Sequence, residues 1–94
     1  MAVGYNAGRE ITTGIQNTLL GGAAGDALTD ADNNVAVGFA ALTTETLGSH
    51  NTAVGYLTLS ASNQTTATDS YNTAVGSSAG ANVTTGVNNT FLGA

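Results

Sequence analysis

NTAVG at residues 51–55 returns at 72–76, and NTLLG at 17–21, NVAVG at 34–38 and NTFLG at 89–93 share its frame. The opening MAVG sets Gly4 in the same phase. The closing glycines Gly4, Gly21, Gly38, Gly55, Gly76 and Gly93 are spaced 17, 17, 17, 21 and 17 residues apart. A fixed period of this length marks a repeat architecture in which each unit stacks on the next. The one long unit carries four extra residues within 60–71, which reads as a loop bulging from an otherwise regular coil. Residues 1–94 therefore form a single repeat domain, with coils starting near Gly4, Gly21, Gly38, Gly55 and Gly76.

Stacking the units exposes their constrained slots. The glycine recurs because each coil must turn sharply there and glycine alone reaches positive φ without steric cost. Gly14, Gly48 and Gly86 mark a second corner. Val3, Leu20, Val37, Val54, Val75 and Leu92 give each coil one bulky aliphatic at a fixed place, and this slot is expected to fill the interior. Strand residues alternate faces, so Ala2, Ala36, Ala53 and Ala74 are expected to face outward and permit close approach of a neighbouring chain; Leu19 and Phe91 depart from that pattern. Asn17, Asn34, Asn51, Asn72 and Asn89 are expected to stack as a ladder of amides at about 4.8 Å spacing. Seventeen residues at about 3.3 Å each trace roughly 56 Å, enough for two short strands and two turns. No segment has the 3.6-residue period of an amphipathic helix. The fold class expected is all-β: a parallel β-solenoid of about five 17-residue coils.

Composition agrees. Charged residues make up 7% of the chain, against about 25% in ordinary domains. Of the hydrophobic 41%, 16 residues are Ala and only 19 are Val, Ile, Leu or Phe, few for a solitary globule of this size. Burial against other copies of the chain would make up the shortfall. Disordered chains are usually rich in charge and proline; this one has no proline. A net charge of -5 with Arg9 as the only Lys or Arg argues against nucleic acid and anionic membrane surfaces as partners. No cysteine is present, and no apolar run is long enough to insert into a membrane as a helix.

The strings TGVNNTFLGA, NTAVGY and GFAAL resemble the repeats of trimeric autotransporter adhesin heads (the YadA-like head) and the related repeats of bacteriophage tail fibres. The resemblance covers essentially the whole chain. It implies a left-handed β-roll, assembly as a homotrimer and an extracellular place, on a phage virion fibre or a bacterial cell surface. The 17-residue unit departs from the shorter repeat usual in adhesin heads, and its TGxxNTxxG wording is closer to tail-fibre arrays. The function expected is a structural segment of a trimeric surface fibre, without enzymatic activity. The alternative is an adhesin head that contacts a host-surface glycan or matrix protein. An ice-binding solenoid is a third reading, set back by the lack of repeated TxT strands.

Motifs for chemistry are sparse. Asp30, Asp32 and Asn34 mimic the first ligand positions of a calcium loop, but the required glycine falls on Val35 and the closing glutamate on Ala41. Asp30 and Asp32 remain the nearest approach to a metal site, a solvated turn is the favoured reading, and no metal or cofactor is expected. Ser49, His50 and Asp69 could be written as a triad, yet nothing in their spacing supports one. Glu10 and Glu45 fall in different slots and form no acid–base pair. Tyr5, Phe39 and Tyr56 follow the turn glycine in three units; packing over the coil edge is the default for them, and a carbohydrate stripe the alternative.

Overall fold

A computed structural model describes all residues 1–94. Eight short strands and no helix make up the chain: β1 (Ala2–Val3), β2 (Thr18–Leu20), β3 (Val35–Val37), β4 (Gly48–Ser49), β5 (Thr52–Val54), β6 (Thr68–Asp69), β7 (Thr73–Val75) and β8 (Thr90–Leu92). Strands β1, β2, β3, β5, β7 and β8 form one parallel sheet in that order, and β4 pairs in parallel with β6 in a second. Each strand meets the equivalent strand of the next coil, as in Leu19↔Ala36 and Ala36↔Ala53, and the long unit holds the same register at Ala53↔Ala74. The chain is a parallel β-solenoid of about five turns.

The turn glycines are needed twice over. Their φ values lie between 101° and 135°, a region closed to residues with a side chain. A Cβ on Gly38 would also lie 2.5 Å from the Gly55 carbonyl oxygen, and the same collision recurs at Gly21 against Gly38 at 2.6 Å. The glycines therefore form a column of touching backbones. Gly14, Gly48 and Gly86 do not have positive φ; they stay small because a Cβ would strike the Ala31 carbonyl, the Glu45 carboxylate or the Asn89 amide.

Most left-handed corners fall on residues other than glycine. The position before the ladder asparagine has φ of 52–62° in every unit, at Gln16, Asn33, His50, Tyr71 and Asn88. Such a conformation costs an ordinary residue about 1–2 kcal/mol, and coil-to-coil hydrogen bonding holds it. The backbone N–H of Asn33 donates to Ile15 O and that of His50 to Asp32 O, at 3.1 and 3.0 Å.

The interior is the reverse of the sequence expectation. Leu19, Ala36, Ala53 and Ala74 are fully buried, whereas Val3, Leu20, Val75 and Leu92 are exposed and Val37 and Val54 are half-buried. The asparagines decide this phase. Asn34, Asn51 and Asn72 are fully buried because their amides reach backbone groups available only from inside the coil. Alternation along the strand then sends Ala53 inward with Asn51, and Val54 outward with Thr52.

The narrow interior is filled by large residues set against small ones. Leu19 lies where Gly8 and Gly25 leave room, since a Cβ on either would come within 2.9 Å of its methyl groups. In the following coils the strand slot shrinks to Ala36 and Ala53, and the corner slot holds fully buried Leu42 and Leu59 instead. Phe91 repeats the first arrangement over Gly80. The departures at Leu19 and Phe91 thus place large side chains against the glycines of the interior, Leu19 fully buried and Phe91 partly so.

Candidate functional surfaces

The asparagine column is the most regular polar feature, and its bonding differs from an amide-to-amide ladder. Each side-chain oxygen accepts the backbone N–H of the next asparagine: Asn34 N to Asn17 Oδ1 at 2.9 Å, Asn51 N to Asn34 Oδ1 at 2.8 Å and Asn89 N to Asn72 Oδ1 at 3.0 Å. The Nδ2 groups of three of them donate to a carbonyl 14 residues on, from Asn17 to Ala31 O, Asn34 to Gly48 O and Asn72 to Gly86 O, at 2.8–2.9 Å. One side chain therefore ties two points of the next coil to its own: the asparagine before that coil's strand and a carbonyl near its second corner.

The long unit breaks this pattern at one point. Ser49 pairs with Asp69, 20 residues on, whereas Asn51 aligns with Asn72, 21 residues on. Three of the extra residues are absorbed before Asp69 and the fourth between Asp69 and Asn72. That last step is a one-residue bulge: Ser70 N takes the Ser49 carbonyl that the regular pattern would give to Tyr71. The Asn72 N to Asn51 Oδ1 bond stretches to 3.3 Å, and Asn51 Nδ2 and Ser70 Oγ are buried without a hydrogen-bond partner.

Glu45 restrains the same unit. It occupies the slot seven residues after the turn glycine that holds Ile11, Leu28 and Val83 elsewhere, and it is fully buried. Its carboxylate accepts Gly48 N at 2.8 Å, Gln64 N at 2.8 Å and Ser62 Oγ at 2.7 Å. Burying a carboxylate is tolerable only with such complete bonding. Ser62 and Gln64 both belong to the long unit, so the acid pins the inserted loop to the coil below. From the sequence, Glu45 was weighed only as an acid–base partner of Glu10, and its anchoring role was missed. The available signal was an acid in a slot otherwise aliphatic, stacked on the only serine in that slot.

Three further acids also bond between coils. Asp30 Oδ1 accepts the hydroxyls of Thr13 at 2.6 Å and Thr12 at 3.1 Å, and these bonds, that of Thr13 first, hold its pKa below the usual aspartate value. Asp32 Oδ1 accepts Ile15 N at 2.7 Å, and Asp26 Oδ1 accepts Thr43 Oγ1 at 2.8 Å. The carboxylates of Asp30 and Asp32 thus cap backbone and hydroxyl donors of the preceding coil. No cluster of three His, Cys, Asp or Glu side chains has the geometry to hold a metal ion.

Ser49, His50 and Asp69 are neighbours but not a relay. Ser49 Oγ accepts Asp32 N at 2.9 Å, while the His50 ring stacks on Tyr71, centroids 4.9 Å apart, with Nε2 3.8 Å from Asp69 Oδ1. No hydrogen bond joins Ser49 to His50. In the slot after the turn glycine, Phe39 and Tyr56 stack at 5.8 Å, and the Phe39 ring lies over Gly22. Tyr5, Phe39 and Tyr56 are all more than half exposed. A hollow at the last coil, between Ser78 and Val83 on one side and β8 on the other, is lined by no charged residue. No helix is long and apolar enough to cross a membrane.

No protein-family model, curated protein or solved structure matches the chain. The functional reading rests on the repeat and on the bonding geometry above.

Proposed function

We propose that this chain is a structural, non-enzymatic segment of a trimeric surface fibre, a left-handed β-roll of the kind borne by a bacteriophage tail fibre or a bacterial adhesin, acting outside the cell. The single observation that carries this reading is where the reactive side chains are spent. Asp26, Asp30, Asp32 and Glu45, four of the six acids, each accept a hydrogen bond from an adjacent coil at a sequence separation of 17–19 residues. The asparagine column does the same at every level. A chain whose polar groups are committed to joining its own coils is built to transmit position along an axis. The resemblance of NTAVGY, GFAAL and TGVNNTFLGA to fibre repeats points the same way.

A second reading, recognition of a host glycan or matrix protein, is favoured by one observation: Glu45 anchors a loop whose tip, Thr65, Thr66 and Ala67, is exposed. Presenting the purified chain to a glycan array and to immobilised matrix proteins separates the two. The structural reading predicts no retention above background together with a single cooperative unfolding transition. Retention that Thr65→Ala/Thr66→Ala removes would transfer the function to the loop.

A further inference from the structure

The phase of the solenoid leaves its bulkiest aliphatics outside. Val3, Leu20, Val75 and Leu92 are exposed, Val37 and Val54 are half-buried, and all six stand one residue before the column of turn glycines. On the other side of that column stand Tyr5, Phe39 and Tyr56. Of the eleven large hydrophobic residues that are exposed, seven flank this one column: Val3, Leu20, Val75, Leu92, Tyr5, Phe39 and Tyr56. Isolated exposed apolar residues are ordinary, but a contiguous stripe marks an interaction surface.

We infer that this stripe is the surface through which copies of the chain associate, each laying its aliphatic ridge and aromatic edge against another solenoid; the inference rests on the trimeric reading above. Two features of the stripe select a second copy as the occupant. The first is period. The outward side chains of the six-stranded sheet repeat at the strand spacing of about 4.8 Å, and the register is carried unchanged past the inserted loop at Val54↔Val75. A partner that fills such a ridge level by level needs the same rise, which another copy of this solenoid has. The second is charge. Copies with a net charge of -5 repel, and no acid or base occupies the outward slots Thr18, Val35, Thr52, Thr73 and Thr90 or the aliphatic slot beside them. Charged residues are depleted from the cores of protein interfaces, and aromatic residues are enriched there.

The chain has no cysteine, which allows a direct test. Val54→Cys is placed in the stripe and Thr66→Cys at the exposed tip of the inserted loop, and each protein is oxidised mildly and run on a denaturing gel. The expected result is at least tenfold more disulfide-linked dimer from Val54→Cys than from Thr66→Cys. In parallel, sedimentation of Val37→Asp/Val54→Asp should give single chains with the far-ultraviolet spectrum of the unaltered protein. If that variant fails to fold, Phe39→Ser/Tyr56→Ser replaces it, with at least a tenfold rise in the concentration of half-dissociation expected. An assembled wild type with equal cross-linking at both positions, or variants that stay fully assembled, overturns the stripe and leaves the trimeric reading standing. A wild type that sediments as single chains overturns both.

Discussion

The regular coils and the long coil between Gly55 and Gly76 solve the same problem by different means. In the regular coils a buried asparagine supplies two bonds per level, and aliphatic or alanine side chains fill the rest of the interior. Where the preceding coil meets the long one, the asparagine loses half of that work: Asn51 Nδ2 has no partner and its oxygen holds Asn72 N at 3.3 Å. Compensation comes from one level below, where Glu45 gathers three donors. Sheet register is thus the conserved quantity, and irregularity is moved to the corner where a polar anchor absorbs it.

The comparison can be broken most severely at Glu45. Glu45→Leu, which copies Leu28, should destabilise the chain by about 3–5 kcal/mol, because Gly48 N, Gln64 N and Ser62 Oγ lose their acceptor inside the fold. Glu45→Gln keeps an acceptor and should cost less than half as much. In a chain with four residues of the loop removed and Ser62 changed to Leu, Glu45→Leu should instead be neutral or stabilising. Denaturant unfolding measures all three, and equal losses with and without the loop would show that the acid does not serve it.

The asparagines provide the next contrast. Asn34→Ala removes two good bonds and strands the Asn51 N–H and the Gly48 carbonyl, for about 2–4 kcal/mol. Asn51→Ala removes one long bond and relieves an unpartnered donor, so about 1 kcal/mol is expected. A subtler reading of the same difference is amide exchange, in which Asn72 N–H should exchange at least tenfold faster than Asn34 or Asn51 N–H. Equal protection along the column would mean that the bulge does not weaken it.

The smallest effect is set by Asp30. Its pKa is lowered by the Thr13 and Thr12 hydroxyls, so its contribution is present above the unfolded aspartate value of about 3.9 and fades as pH falls through the lower folded value. Replacing both threonines with valine should lower stability slightly near neutrality, where the contribution is present, and flatten the acid fall below pH ~4, the ordinary aspartate range, so that the two proteins converge in acid.

How much of this was legible in the sequence follows from what each slot constrains. The spacing of Gly4 through Gly93 shows the coil length, the coil count and the place of the inserted residues, because a glycine column that stacks backbone on backbone tolerates no substitute. The inward phase was not legible. Alternation permits either face to be the interior, and hydrophobicity favours Val54 over Ala53, yet the asparagine side chains reach their backbone partners from within the coil, which puts Ala53 inside. Corners at Ala23, Leu42 and Tyr71 were hidden too, since nothing about those residue types announces a left-handed backbone. Asp30 and Asp32 looked like the start of a calcium loop because acids that cap a neighbouring coil share the short spacing of ligand sets. Glu45 was readable only by comparing slots, a test that weighs one residue against its counterparts 17 residues away.

The most direct test of the account is the mass of the unaltered chain in solution by sedimentation equilibrium. A fibre segment joined through its outward aliphatic stripe predicts a single species at three times the 9.2 kDa chain mass. A single species at 9.2 kDa, with the stripe left facing water, would contradict it.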